Sequence, residues 1–305
     1  MPELILHHYA LSPFSQKIRS MLGYAELTWQ SALTREMPPR PHLARLVGGY
    51  RKIPVAQLGA DVFCDSRTIA AEIAVLADSP ALALENLDAG AAAWATRADG
   101  ELFFPCVLAG GTRALQRKVR AQMSWLDIGR FMLDRLAMGR KAAVSMPGRA
   151  EARSLVRQHL VTVEAQLQSD FLFGAKPNHA DFSTYHGLWF LHDLGESPML
   201  EDFPTTLAWM ARMRAFGDGV SEVISVQDAL VVAAKAEPRP VPAQLRRGKD
   251  VGKSVRIAPQ DYGQAPTEGV LVGSTSQRWI LAREQPGLGT VHVHFPRQGY
   301  SLATL

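Results

Sequence analysis

The sequence predicts an α+β protein of three units: a mixed α/β unit over residues 1–78, an all-helical unit over 88–236 and a small β-rich unit over 249–305. Three observations predict it. Short apolar runs alternate with helix-spaced ones in the first eighty or so residues. A long stretch follows in which apolar residues recur only at helical intervals. After the proline-rich segment from Glu237 to Pro242, four β-prone runs are separated by polar, Gly- and Pro-containing turns. A chain of 305 residues also exceeds the usual size of one domain.

In order, Leu4 to His8 is a short apolar strand candidate, and Ser12-Pro13 opens a helix whose residues Phe14, Ile18, Met21 and Leu22 share a face. Gly23 stops it, and Leu27 to Leu33 is a second strand carrying Trp29. Pro38, Pro39 and Pro41 interrupt the chain before Ile53 to Leu58 and Val62 to Cys64, which Gly59-Ala60-Asp61 joins as a hairpin. Asp65-Ser66 then caps a helix with Ile69, Ile73 and Leu76 at helical spacing. The predicted order of the first unit is β-α-β-α-β-β-α.

Helices are expected over Ala89 to Phe104, Thr112 to Asp127 and Ala150 to Gln168, the last with Val156, Leu160, Val163 and Leu167 on one side. Asn178 and Asp181 form a capping pair ahead of Phe182 to Leu194, Pro204 opens a helix with Leu207, Trp209, Met210 and Met213, and Ser225 with Asp228 caps the last. Val255 to Ile257, Gly269 to Val272, Trp279 to Ala282 and Thr290 to Phe295 are the strand candidates of the third unit. So small a unit has little core of its own and is expected to lean on the helical unit.

Composition excludes several classes. The 47% hydrophobic and 20% charged residues are ordinary for a globular protein, and the net charge of +4 is spread along the chain, which argues against a nucleic-acid partner. Met1 to His8 lacks the basic and apolar regions of a secretory leader, and no apolar run is long enough to span a bilayer, so a cytoplasmic protein without a membrane partner is expected. Cys64 and Cys106 stand alone in apolar surroundings and read as reduced core thiols. His292 and His294 would share a strand face but lack a third nearby ligand, so no metal is expected. His7 and His8, adjacent on a strand, face opposite ways. Lys17 and Arg19 read as solvated helix residues.

The run from Tyr9 to Arg19, with Ser12 at the helix start, resembles the first βα turn of the cytosolic glutathione transferases, whose N-terminal domain is thioredoxin-like. Lys52-Ile53-Pro54-Val55 is similar to that family's segment before its third strand, and Phe63-Cys64-Asp65-Ser66 to the acidic-Ser pair opening its third helix. Asn178-His179-Ala180-Asp181, and Phe203-Pro204 with Trp209 and Arg212, resemble its later helix-capping segments. Taken singly, Ser12-Pro13 and Asp65-Ser66 are ordinary helix caps; their order along one chain is what carries the resemblance, over about Leu4 to Ala236.

The resemblance implies a serine-type glutathione S-transferase with glutathione as co-substrate. Ser12 would donate to the glutathione sulfur and stabilise the thiolate. A cis Pro54 would let the Ile53 backbone pair with the extended tripeptide. The helix N-terminus at Ser66 would take the γ-glutamyl carboxylate, Asp65 the ammonium group and Lys52 the glycyl carboxylate. Trp94, Arg97, Phe103 and Phe104 would face a hydrophobic electrophile. The family also implies a homodimer. A non-catalytic binding or assembly protein of the same fold is the alternative, and a glutaredoxin-like thiol transferase would need a cysteine where Ser12 stands.

Overall fold

In the computed structural model, which describes residues 3–141 and 147–305, the first apolar run forms β1 (Leu4–His8). Ser12 Oγ accepts from the Ser15 N–H and Pro13 takes the first helical position, so α1 (Pro13–Tyr24) begins where a missing N–H costs nothing. β2 (Thr28–Leu33), α2 (Pro41–Val47), the hairpin β3 (Val55–Leu58) and β4 (Asp61–Cys64), and α3 (Ser66–Leu76) follow. β1 runs parallel to β2 and antiparallel to β3, with Leu6 opposite Ala56.

The helical stretch holds α4 (Ala89–Asp99), α5 (Phe103–Ala109), α6 (Arg113–Gln122), α7 (Trp125–Lys141), α8 (Arg149–Gln166), α9 (His179–Trp189) and α10 (Pro204–Ala215). The helix expected over Ala89 to Phe104 is therefore two helices, broken at Gly100, the residue least suited to a helix interior. Asp181 does more than cap α9. Its carboxylate accepts from the Asn178 and Leu172 N–H groups and from Trp209 Nε1, tying the helix start to α10.

The helix expected over Thr112 to Asp127 is likewise two, α6 and α7, parted at Met123-Ser124, and the expectation of helices throughout this stretch needs a further correction. Val220–Ile224 is a strand, β5, lying parallel to β2 at the edge of the sheet with Thr28 opposite Val220, before α11 (Val226–Ala234). Val220 and Val223 are 69% and 75% exposed, so the strand carries no buried apolar face for a pattern to report.

The last unit contains β6 (Ser254–Pro259), β7 (Thr267–Ser274), β8 (Arg278–Gln285), β9 (Gly289–Pro296) and β10 (Tyr300–Thr304), the last not anticipated. It does not lean chiefly on the helices. β9 adds in parallel to the edge of β4, with Val62 opposite Val293, giving one ten-stranded sheet in the order β10-β6-β7-β8-β9-β4-β3-β1-β2-β5. The period of two along β3 and β4 explains how one sheet serves two cores. Ala56, Leu58 and Phe63 face the core shared with α1, α3, Phe182 and Trp209, while Val55, Val62 and Cys64 face a second core with Val255, Leu281, Val293 and Phe295.

The proline-rich connection is pinned as well. The Arg239 N–H and guanidinium reach Asp61, and Arg239 Nη1 donates to Glu72 at 2.7 Å. A Cβ on Gly49 would overlap the Pro266 carbonyl oxygen, so only glycine lets the β6–β7 connection approach the end of α2 this closely. Limited trypsin cleavage at the exposed Arg246-Arg247 pair is accordingly expected to leave both fragments associated in gel filtration while separating them under denaturing conditions. Release of a folded larger fragment with unchanged melting temperature would refute this shared core.

Candidate functional site

The turn between β4 and α3 places the first functional group. Asp65 has φ 81° and ψ 140°, a conformation that costs a non-glycine residue about 1–3 kcal/mol and persists only where its surroundings hold it. They do so from both sides. Asp65 Oδ1 accepts from the Arg67 N–H at 3.0 Å, and Oδ2 accepts from the Tyr300 hydroxyl at 2.9 Å. Burial, followed by the Asp65 charge, pushes the Tyr300 phenol well above its usual range, which keeps it a donor. Ser66 is buried at the first position of α3, where unpaired backbone N–H groups favour an anion.

Before β3, the Ile53-Pro54 peptide is cis. Lys52, Ile53, Pro54, Asp65 and Ser66 come together along a cavity of about 360 Å³. Phe103 and Phe104, from the start of α5, line the same cavity. Of the predicted site residues, these seven share one space. Phe14 joins them, with its ring 4.6 Å from that of Phe103.

The remaining three lie elsewhere. Ser12 is 2% exposed and caps α1 without lining the cavity, although Phe14 two residues on does line it. Trp94 packs on His159 and Phe173 and donates from Nε1 to Thr184 Oγ1 at 2.9 Å, inside the helical core. Arg97 lines a separate cavity of about 560 Å³ between α3, α4 and the β-rich unit.

Lys17 and Arg19 are not solvated. Arg19 is 6% exposed and donates to Asp218, to the Ala10 carbonyl and to Gln16. Lys17 is fully buried, and its Nζ lies 2.7 Å from Asp99 Oδ2 and 3.0 Å from His179 Nε2. Asp99 also accepts from Ser183 and pairs with His186 Nε2 at 3.0 Å, and it lines the cavity. Burial by itself pushes the Asp99 carboxyl up, but Lys17 and then His186 outweigh it and hold the group well below the usual carboxylate range. Burial, then Lys17, lowers His179 to about 3, and burial lowers His186 as well, so neutral imidazoles flank the Lys17–Asp99 pair.

Two residues lining the cavity, Asp261 and Tyr262, and a third behind it, Tyr300, come from the β-rich unit and are not among the predicted site residues. Lys52 Nζ donates to Asp261 Oδ1 at 2.6 Å and Oδ2 at 2.8 Å, and lies 4.2 Å from the centre of the Tyr262 ring. Tyr262 packs edge-on against Phe104, and Tyr300 holds Asp65. Among the described residues, no group of three or more His, Cys, Asp and Glu side chains is placed to hold a metal ion, and no helix is long and apolar enough to cross a membrane.

Comparison with known proteins accords with this geometry. Residues 6–81 match the family description "Glutathione S-transferase, N-terminal domain" and residues 127–215 match "Glutathione S-transferase, C-terminal domain". A GST-like protein from Pseudomonas syringae is 32% identical across 100% of both chains, with a TM-score of 0.75, so it matches the β-rich unit as well. FzlA from C. crescentus is 25% identical over 70% of this chain and 88% of its own, with a TM-score of 0.46. A glutathione transferase family member from Pseudomonas fluorescens, solved with two glutathione bound, is 15% identical over the same shares, with a TM-score of 0.48. No curated protein matches the chain. With both domain descriptions matched in order and a full-length relative at this identity, the chain belongs to the glutathione S-transferase family.

Proposed function

We propose that the cavity binds glutathione or a closely related γ-glutamyl thiol peptide, and that the protein activates the thiol as thiolate for attack on an apolar electrophile. The observation that carries this reading is the convergence of Asp65, held in a strained backbone conformation, with Lys52, Ile53, Pro54 and Ser66 around one cavity walled by Phe103 and Phe104. The γ-glutamyl end would lie at the start of α3, its carboxylate toward the helix N-terminus and its ammonium toward Asp65. The Ile53 backbone would pair with the extended peptide. Phe14, Phe103 and Phe104 offer the apolar surface for the second substrate.

Ser12 is assigned the thiol-facing hydroxyl. Its oxygen already accepts from the Ser15 N–H, which leaves the hydroxyl hydrogen to donate to sulfur, and the N-terminus of α1 adds favourable potential. A charge-assisted hydrogen bond is worth about 1.5–3 kcal/mol, close to what lowering a thiol pKa by about two units requires. Ser12→Ala is expected to retain fold and most glutathione affinity, raise the pKa of the bound thiol, and cut turnover at neutral pH by about ten- to a hundredfold, partly recovered at higher pH.

The burial of Ser12 favours a specific second reading, in which the protein binds the peptide without activating it and Ser12 is only the α1 cap. Ultraviolet titration of the bound thiolate separates the two. An unchanged titration in Ser12→Ala, with a stability loss of about 1 kcal/mol, assigns Ser12 to the cap alone.

A further inference from the structure

We infer that this cavity selects γ-glutamyl thiol peptides whose C-terminal carboxylate is masked, as an amide, an ester or an amine-bearing extension, over free glutathione, and that Asp261 is the selecting residue. The inference rests on the reading of the site as a γ-glutamyl thiol peptide site. It starts from Lys52, the cation at the end of the cavity where a glycyl carboxylate would lie. Lys52 Nζ already meets both oxygens of Asp261, at 2.6 and 2.8 Å, and its remaining side faces the Tyr262 ring at 4.2 Å and the Tyr300 ring at 5.8 Å. Its side chain is 13% exposed. An arriving carboxylate must displace Asp261 or lie beside it at like charge.

Displacement is opposed by how the β6–β7 connection is held. The Gln260 N–H donates to the Gly299 carbonyl at 2.9 Å, Gln264 Nε2 donates back to the Gln260 carbonyl at 3.0 Å, and Tyr262 packs on Phe104. The Pro266 carbonyl is set against Gly49. Asp261 thus belongs to a segment fixed on both sides, not to a free surface chain. The charges along the cavity act the same way. Asp65, Asp99, Glu101 and Asp261 line it against Lys52 and Arg67, and the buried Lys17 is ion-paired with Asp99.

A masked terminus reverses the balance. An amide N–H or an ammonium group finds an acceptor in Asp261, whose side chain is 40% exposed and whose oxygens have lone pairs beyond the two that Lys52 occupies. The repulsive element against the free carboxylate and the attractive one for its masked form are therefore the same side chain.

Calorimetry on the full chain, with glutathione and with its glycyl ethyl ester and glycyl amide, tests this. The wild type is expected to bind the amide at least about tenfold more tightly than glutathione, the ester falling between them. Asp261→Asn, which keeps the shape and removes the charge, is expected to raise affinity for glutathione about tenfold or more and to change that for the amide less than about threefold. The Lys52 pair is partly exposed, so the melting temperature of the variant should stay near that of the wild type. A wild type that prefers free glutathione, or a ratio that Asp261→Asn leaves unchanged, overturns the selection while leaving the thiol-peptide site intact. Failure of all three peptides to bind overturns that site, and the selection with it.

Discussion

Asp99→Ala is expected to destabilise the protein by about 3–5 kcal/mol, far beyond what loss of one ordinary hydrogen bond would do. The reason lies in what the substitution leaves behind. Lys17 is fully buried, and Asp99 is its counter-charge at 2.7 Å. Without that carboxylate the ammonium must either stay charged in a low-dielectric site or release its proton, and Ser183 and His186 lose their shared partner at the same time. The double variant Lys17→Met/Asp99→Asn removes both charges at similar volume and is expected to be more stable than Asp99→Ala, because an ion pair replaced as a unit leaves no orphan charge. Urea midpoints with their slopes decide it, since equal slopes confine the change to stability. A loss under about 1 kcal/mol for Asp99→Ala would mean that water reaches Lys17. The cluster also matters for the cavity. It joins α1, α4 and α9, so the helix carrying Ser12 and Phe14 is fixed against the one that ends at Asp99.

What could be read in the sequence is what local chemistry encodes. Ser12-Pro13, Asp65 and the Asn178/Asp181 pair each announce a helix start through donors and acceptors only a few residues apart, and all three caps are present in the structure. Phe103 and Phe104 reach the cavity because Gly100 breaks the helix and turns the start of α5 inward, yet the same break leaves Trp94 within the helical core. The junction of β9 with β4 was not legible, because paired residues such as Val62 and Val293 lie far apart along the chain, in strands whose patterns fit a sheet of any partner. Asp261, Tyr262 and Tyr300 were hidden for the same reason: their roles exist only once that junction forms. Lys17 sits beside Ile18 on a helix where a charged residue ordinarily marks the solvent side, and its partners Asp99 and His179, on helices distant in sequence, make its burial tolerable.

Acid is expected to unfold the protein at a pH where most carboxylates are still ionised. Burial lowers His7, His8 and His159 to about 4 and His179 to about 3, from an ordinary value near 6.5. His186 and His294, also buried, shift in the same direction for the same first cause. The sign follows from proton counting. Between about pH 6.5 and 4 these imidazoles take up protons in the unfolded chain but not in the folded one, so the unfolded state binds more protons and stability falls as pH falls. Above pH 6.5 both states are neutral and the effect vanishes. The ion-paired Asp99 acts below this window, since a carboxylate held below its usual range loses its contribution only as pH drops under about 4. Each displaced histidine is worth about 1.4 kcal/mol per pH unit, so four of them over about two units oppose folding by an amount on the order of 10 kcal/mol, comparable to a whole domain's stability. Urea midpoints measured at half-unit steps from pH 7.5 to 4.5 are expected to fall steeply below 6.5, with a slope of several protons. His159 offers the internal control, because it packs beside Trp94 in the helical core, away from the cavity. His159→Leu should reduce the slope by about one proton while leaving the cavity's affinity for thiol peptides as it is. A midpoint that stays flat from pH 7 to 5 would show that these imidazoles protonate within the folded chain and that its interior admits water at all four sites.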